Sequence, residues 1–254
     1  MRIGMVVVIG ILLVLTNAGY SQDQGEDASL DAAMRSFQQA IEINPNSAEA
    51  HYNLGIVYHE KGMMEEAINE YKKTLEIDPN FVKAYNNLGV VYHNAGRLDE
   101  AVGSLKKAVE LSPQYVEAYY NLGIAYYKKK QYNDAAGAFE KAVEFNPAFD
   151  KGYYNLGIVY SSMDNLDEAI DAFKKATEIN PKYSNAYYNL GVTYAKKDHY
   201  DDAIQSLQKA LELNPNNYNA HFALGVIHQT KRKTKEANES RDDLIKETPA
   251  SDYD

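Results

Sequence analysis

The chain contains seven prolines, Pro45, Pro79, Pro113, Pro147, Pro181, Pro215 and Pro249, and each lies 34 residues from the next. Proline lacks a backbone donor and breaks helices, so breakers on a fixed period cut the chain into equal short units. Units of that size cannot bury an apolar face alone and must stack on their neighbours. The spacing predicts an all-α solenoid of helical hairpins, with length set by unit number rather than by one globular core.

Aligned on proline, five full units start at Ala48, Val82, Val116, Asp150 and Ser184 and span 48–217. A half unit precedes them at 30–47, and a divergent sixth unit, read as a cap, follows at 218–251. Asn-Leu-Gly recurs at 53–55, 87–89, 121–123, 155–157 and 189–191, and a tyrosine follows three residues after each glycine. Each second helix carries alanine at 67, 101, 135, 169 and 203, then Tyr71, Leu105, Phe139, Phe173 and Leu207. Glycine and alanine let helices approach closely while the large residues fill the grooves between them. Gly62 and Gly96 suit a left-handed turn between paired helices, Asp164 and Asp198 tolerate it, and Lys130 departs from the pattern.

This skeleton of aromatic, Leu-Gly, Tyr, Ala, bulky residue, Ala and Pro resembles the tetratricopeptide repeat family over about four-fifths of the chain. The resemblance implies a right-handed α-α superhelix of antiparallel helix pairs that binds protein or extended peptide in its concave groove.

On the first helix, positions two, five, six, nine and thirteen cluster away from the core side at about 100° per residue. Position five is Tyr52, Asn86, Tyr120, Tyr154 and Tyr188 in the full units, and position nine is aliphatic. Position six is Asn53, Asn87, Asn121, Asn155 and Asn189. Asparagine is an indifferent helix former, and its amide offers one donor group and one acceptor, matching a peptide unit. These asparagines, with Tyr52, Tyr120, Tyr154 and Tyr188, form the candidate peptide-binding site. The tetratricopeptide arrays of O-linked N-acetylglucosamine transferases look similar here, although no residues remain for a catalytic domain. Retention by unit duplication is the competing explanation of the asparagines.

No cysteine is present, which excludes disulfides and thiolate chemistry. The formal charge is −10, but nine acids sit at the starts of second helices, where the helix dipole favours them. No basic stripe favours nucleic acid. No phosphate loop, nucleophile elbow or His-Glu-x-x-His motif occurs, so neither catalytic nor metal residues, and no cofactor, are expected. His51 and His221 occupy the aromatic core position and read as packed side chains.

Residues 1–21 carry a basic start, an apolar run from Ile3 to Leu15 and small residues after it, the pattern of a signal peptide, with an uncleaved membrane anchor as alternative. Residues 22–29 read as linker. The expectation is an exported scaffold, periplasmic or secreted. Two other roles remain open. One is an envelope-assembly factor that self-associates through the half unit, whose Leu30, Ala33, Met34, Phe37, Ala40 and Ile41 form an apolar face. The other is an accessory subunit of a separate glycosyltransferase-type enzyme.

Overall fold

The computed structural model describes residues 23–247, and every regular element among them is an α-helix. The signal-peptide or anchor segment lies outside the described residues. Two compact units divide at Ile77 and Asp78. The first holds α1 (Asp23–Ile43), α2 (Ala48–Glu60) and α3 (Met64–Ile77). The second holds α4 (Val82–Asn94), α5 (Leu98–Leu111), α6 (Val116–Lys128), α7 (Tyr132–Phe145), α8 (Asp150–Ser162), α9 (Leu166–Ile179), α10 (Ser184–Lys196), α11 (Tyr200–Leu213) and α12 (Tyr218–Glu247).

Within each unit the helices pair as hairpins, and each second helix then packs on the first helix that follows it. The all-α solenoid read from the prolines is what the structure shows. Residues 23–29, read as linker, are the opening turns of α1. Asp23, Glu26 and Asp27 suit a helix N-terminus, and the single Gly25 does not outweigh them.

Three local devices set the hairpins. The turns between paired helices place Gly62, Gly96, Lys130, Asp164 and Asp198 at φ between 60° and 75°. Lys130 thus adopts the left-handed conformation that its position demands, at some steric cost. The second device precedes four of the first helices, α2, α4, α8 and α10, where the Asn or Asp before proline accepts a backbone N–H two residues on. Asn44, Asp78, Asn146 and Asn180 all do so, which closes the turn.

The third device is close approach. A Cβ on Gly55, Gly89, Gly123, Gly157 or Gly191 would come within 2.5–2.7 Å of Tyr71, Leu105, Phe139, Phe173 or Leu207 respectively. Those five large side chains are at most 1% exposed. Glycine on the first helix and the bulky residue on the second are two halves of one contact.

The acids at second-helix starts act differently from side-chain caps. The N-cap residues of α5, α7, α9 and α11 are Arg97, Gln131, Asn165 and His199, and none makes a side-chain cap bond. The acids lie within the first turn, facing the dipole. Asp31, Asp99 and Asp167 also pair with Lys61, Lys129 and Lys197 at the next hairpin turn, and Asp201 pairs with Lys231 at the equivalent position inside α12. Three of these carboxylates are largely exposed, so each pair adds little to stability.

Candidate functional site

The helix face carrying positions five and six is best defined in the second unit. Asn155 Nδ2 donates to Tyr120 Oη at 3.0 Å, and Asn189 Nδ2 donates to Tyr154 Oη at 3.1 Å. Asn121 Nδ2 donates to Asn86 Oδ1 at 2.9 Å, and Asn86 Nδ2 donates in turn to Asn87 Oδ1 at 3.2 Å. Each position-six amide in this series therefore bonds position five of the preceding hairpin, 35 residues back. Asparagine recurs here because a short amide can bridge adjacent first helices. Each bridge contributes on the order of 1 kcal/mol net.

The donor half of Asn121, Asn155 and Asn189 is thus engaged inside the array, which alters the chemistry expected from the sequence. At Asn155 and Asn189 the face presents a pair: an amide oxygen on asparagine, and the hydroxyl proton of the tyrosine that accepts from it. Together they still offer one acceptor and one donor, the complement of a peptide unit. Adjacent first helices sit about 10 Å apart, so an extended chain crossing them would advance about three residues per hairpin.

The tyrosine rings are held from two sides. Tyr120 stacks edge-on against Phe139 at 5.7 Å and Phe149 at 5.0 Å. Tyr154 packs against Phe173 at 6.0 Å and Tyr183 at 4.7 Å. Phe149 and Tyr183 immediately precede the next first helix, a role that the sequence reading missed. The signal was present as an aromatic at the last position of four successive units, Phe81, Tyr115, Phe149 and Tyr183. Tyr188 is half-buried against the cluster of Ala203, Leu207, Ala220 and Ile227. In the first unit, Tyr52 packs on Tyr71 at 5.9 Å and Asn53 is half-buried.

Between α8 and α10 this face opens into a cavity of about 400 Å³, lined by Ile158, Ser161, Ser162, Asn189, Val192 and Lys196, among others. Its lining combines apolar Ile158, Phe173 and Val192 with polar side chains, and Lys196 supplies a positive charge. Of the five asparagines, Asn189 is the one that lines this cavity.

Burial raises the hydroxyl pKa of Tyr120 and of Tyr154 above the ordinary 10.0, against the lowering effect of the asparagine bonds. Burial also pushes Tyr183 up, with further contributions from Tyr154, Tyr120 and Asp150. A hydroxyl that holds its proton more tightly when folded stabilises fully below the unfolded pKa, and that stability is lost as pH rises beyond it. The melting temperature is therefore expected to fall as pH climbs past about 10. Tyr183→Phe keeps the ring and removes one titration, so its melting curve against pH should descend less steeply. Equal slopes for the two proteins would refute the assignment.

Among the described residues no cluster of His, Asp and Glu suits a metal ion, and no helix is long and apolar enough to cross a membrane.

The family model described as Cilia and flagella-associated protein 70 C-terminal domain matches residues 21–247. No curated protein matches the chain. Among solved structures, YrrB, described as a TPR protein with an unusual peptide-binding site, is 31% identical with a TM-score of 0.65. That alignment covers 75% of this chain and 98% of YrrB. MamA is 38% identical at TM-score 0.62, over 64% of this chain and 95% of its own. Pseudomonas aeruginosa pilF, at 20% identity and TM-score 0.66, shares the fold over 79% of this chain and 91% of its own. With its hairpins, its glycine contacts and its family match in agreement, the chain belongs to the tetratricopeptide repeat family.

Proposed function

We propose that the chain is a non-catalytic scaffold that binds an extended peptide segment of a protein partner across its first helices. The observation that carries this reading is the cavity between α8 and α10, where Asn189 shares the lining with apolar Ile158 and Val192. YrrB, a relative covered almost end to end, is described by its peptide-binding site, which supports the same class of ligand here. The Tyr–Asn pairs would hold the peptide backbone: tyrosine hydroxyls donate to its carbonyls and asparagine oxygens accept from its N–H groups. Side-chain selection would fall to the cavity, with Lys196 favouring an acidic residue. The export predicted from residues 1–21 would place this partner in the periplasm or outside the cell.

The test uses a pool of random-sequence peptides carrying a fluorophore, with binders read by polarisation. Ile158→Glu should weaken the selected peptides at least about tenfold, by putting a charge among the apolar lining residues. Asn189→Ala should weaken them by a similar factor and lower stability by about 1 kcal/mol, because it also removes the bond to Tyr154. Asp171→Ala, on the second helix α9, should leave affinity unchanged. Binders indifferent to both groove variants would place the site elsewhere on the array.

A further inference from the structure

The two ends of the described chain are complementary halves of one hairpin. Among the described residues, helix α1 is a second helix without a first. Its Ala33, Phe37 and Ala40 align with three positions that are at most 1% exposed in all five full hairpins, occupied for example by Ala135, Phe139 and Ala142. In α1 the same three positions are only half-buried.

Helix α12 is a first helix without a second, since it runs from Tyr218 to Glu247 with no turn where a second helix would start. Its Gly225 aligns with the five glycines whose Cβ space is filled by the large residue of the partner helix, yet around Gly225 nothing lies within 4 Å. Tyr218, Phe222 and Val226 are 74%, 62% and 46% exposed along the same helix.

We propose that α12 of one copy pairs with α1 of a second copy, completing between two chains the hairpin that each forms five times within itself. Phe37 would enter the space over Gly225. Its ring would lie against Phe222, as Phe139 lies against Tyr120 and Phe173 against Tyr154.

Charge supports this occupant over others. Both helices extend beyond the point where an ordinary hairpin turns, and in an antiparallel pair those extensions run side by side. The sequence over 23–29 holds three acids and no base, whereas 231–235 reads Lys-Arg-Lys-Thr-Lys. Lys231 is already paired with Asp201 and Arg232 with Glu236, so salt sensitivity should be moderate rather than steep. The contact is head-to-tail, so each copy keeps one open end and association can continue beyond two chains.

Sedimentation of the full chain, at concentrations up to about 100 μM, should show mass rising with concentration. Gly225→Leu fills the space that Phe37 would take, and leucine also favours helix over glycine. It should therefore weaken association at least tenfold without loss of helicity. Phe37→Glu should act in the same way from the other side. Each variant retains the surface that the other has lost, so an equimolar mixture should form a one-to-one dimer and nothing larger. That rescue separates this contact from a symmetric α1–α1 contact, which the mixture could not restore. A monomer at every concentration would overturn the proposal, and so would undiminished association of Gly225→Leu or a mixture that stays monomeric. A monomer with Phe222 shielded would assign α12 instead to the chain's own terminal residues. Peptide binding is read separately, on α8 and α10, so either result can stand without the other.

Discussion

Phe173→Ala is expected to destabilise the second unit by about 3–5 kcal/mol, the range for removing a fully enclosed aromatic ring. The ring is 1% exposed and packs with Ala169, Ile170 and Leu190, with Tyr154 against its edge. It also closes directly over Gly157, where an added Cβ would stand 2.6 Å from it. Its loss therefore leaves a cavity bounded by backbone, which cannot collapse around the gap. The reciprocal variant, Gly157→Leu, should cost a comparable amount through overpacking. Combining the two exchanges volume between partner helices, so the double variant should recover much of either loss. A double-mutant cycle by chemical denaturation reads that coupling directly. Additive losses would mean that the two residues do not share one contact.

The second large effect lies in the first unit. His51 Nδ1 sits 2.6 Å from Glu70 Oε2, and His51 Nε2 sits 3.0 Å from the carbonyl oxygen of Pro45. The ring thus bridges an acidic side chain and a backbone carbonyl. Lys73 donates to the other oxygen of Glu70 at 2.9 Å. Both His51 and Glu70 are buried, and removing one member strands the other away from water.

His51→Ala and Glu70→Ala are each expected to cost about 3 kcal/mol or more. The neighbouring hairpins indicate the remedy. Where His51 stands they carry Tyr85, Tyr119, Tyr153 and Tyr187, and where Glu70 stands they carry Ser104, Ala138, Ala172 and Ser206. The double variant His51→Tyr, Glu70→Ala copies the Tyr119–Ala138 pairing and should regain most of the stability. Hydrogen exchange in α2 and α3 reports this locally, without depending on global unfolding. If the double variant is no more stable than Glu70→Ala, the histidine and glutamate do not act as a pair.

Much of the fold was legible because the information is local and repeated five times over. Pro45 and its equivalents mark where each second helix ends, and Asn44, Asp78, Asn146 and Asn180 before four of them close the turn that follows. Position eight is glycine because its neighbour one helix away is large, and both halves of that contact recur in phase. That residues 23–29, read as linker, are helical has a local reason as well. A polar, acidic stretch next to an apolar one resembles loop, but acids at a helix start are also what a helix prefers.

The candidate site was legible only in part. The asparagine row and the tyrosines beside it stood out by recurrence, and they do share a helix face. Recurrence could not distinguish an amide that waits for a ligand from one that already bridges two helices. Phe149 and Tyr183, which hold the tyrosine rings in place, recur equally clearly but fall outside the helices on which the face was drawn. The His51–Glu70 pair broke the pattern at two positions of one hairpin, a coincidence that becomes meaningful only when those positions are known to touch.

The amino-acid sequence alone determined the hairpin, its turn and the glycine-to-bulky contact. These depend on residues a few places apart, or on a period that copies one solution along the chain. Tertiary structure alone decided that the position-six amides donate to the preceding hairpin, since a bond across 35 residues exists only once two first helices lie side by side. It also decided that α12 runs straight through the place of a turn and that α1 leaves its inner face half open. Whether an apolar helix face is buried depends on having a neighbour, and among the described residues the helices at the two ends of the stack have one on one side only.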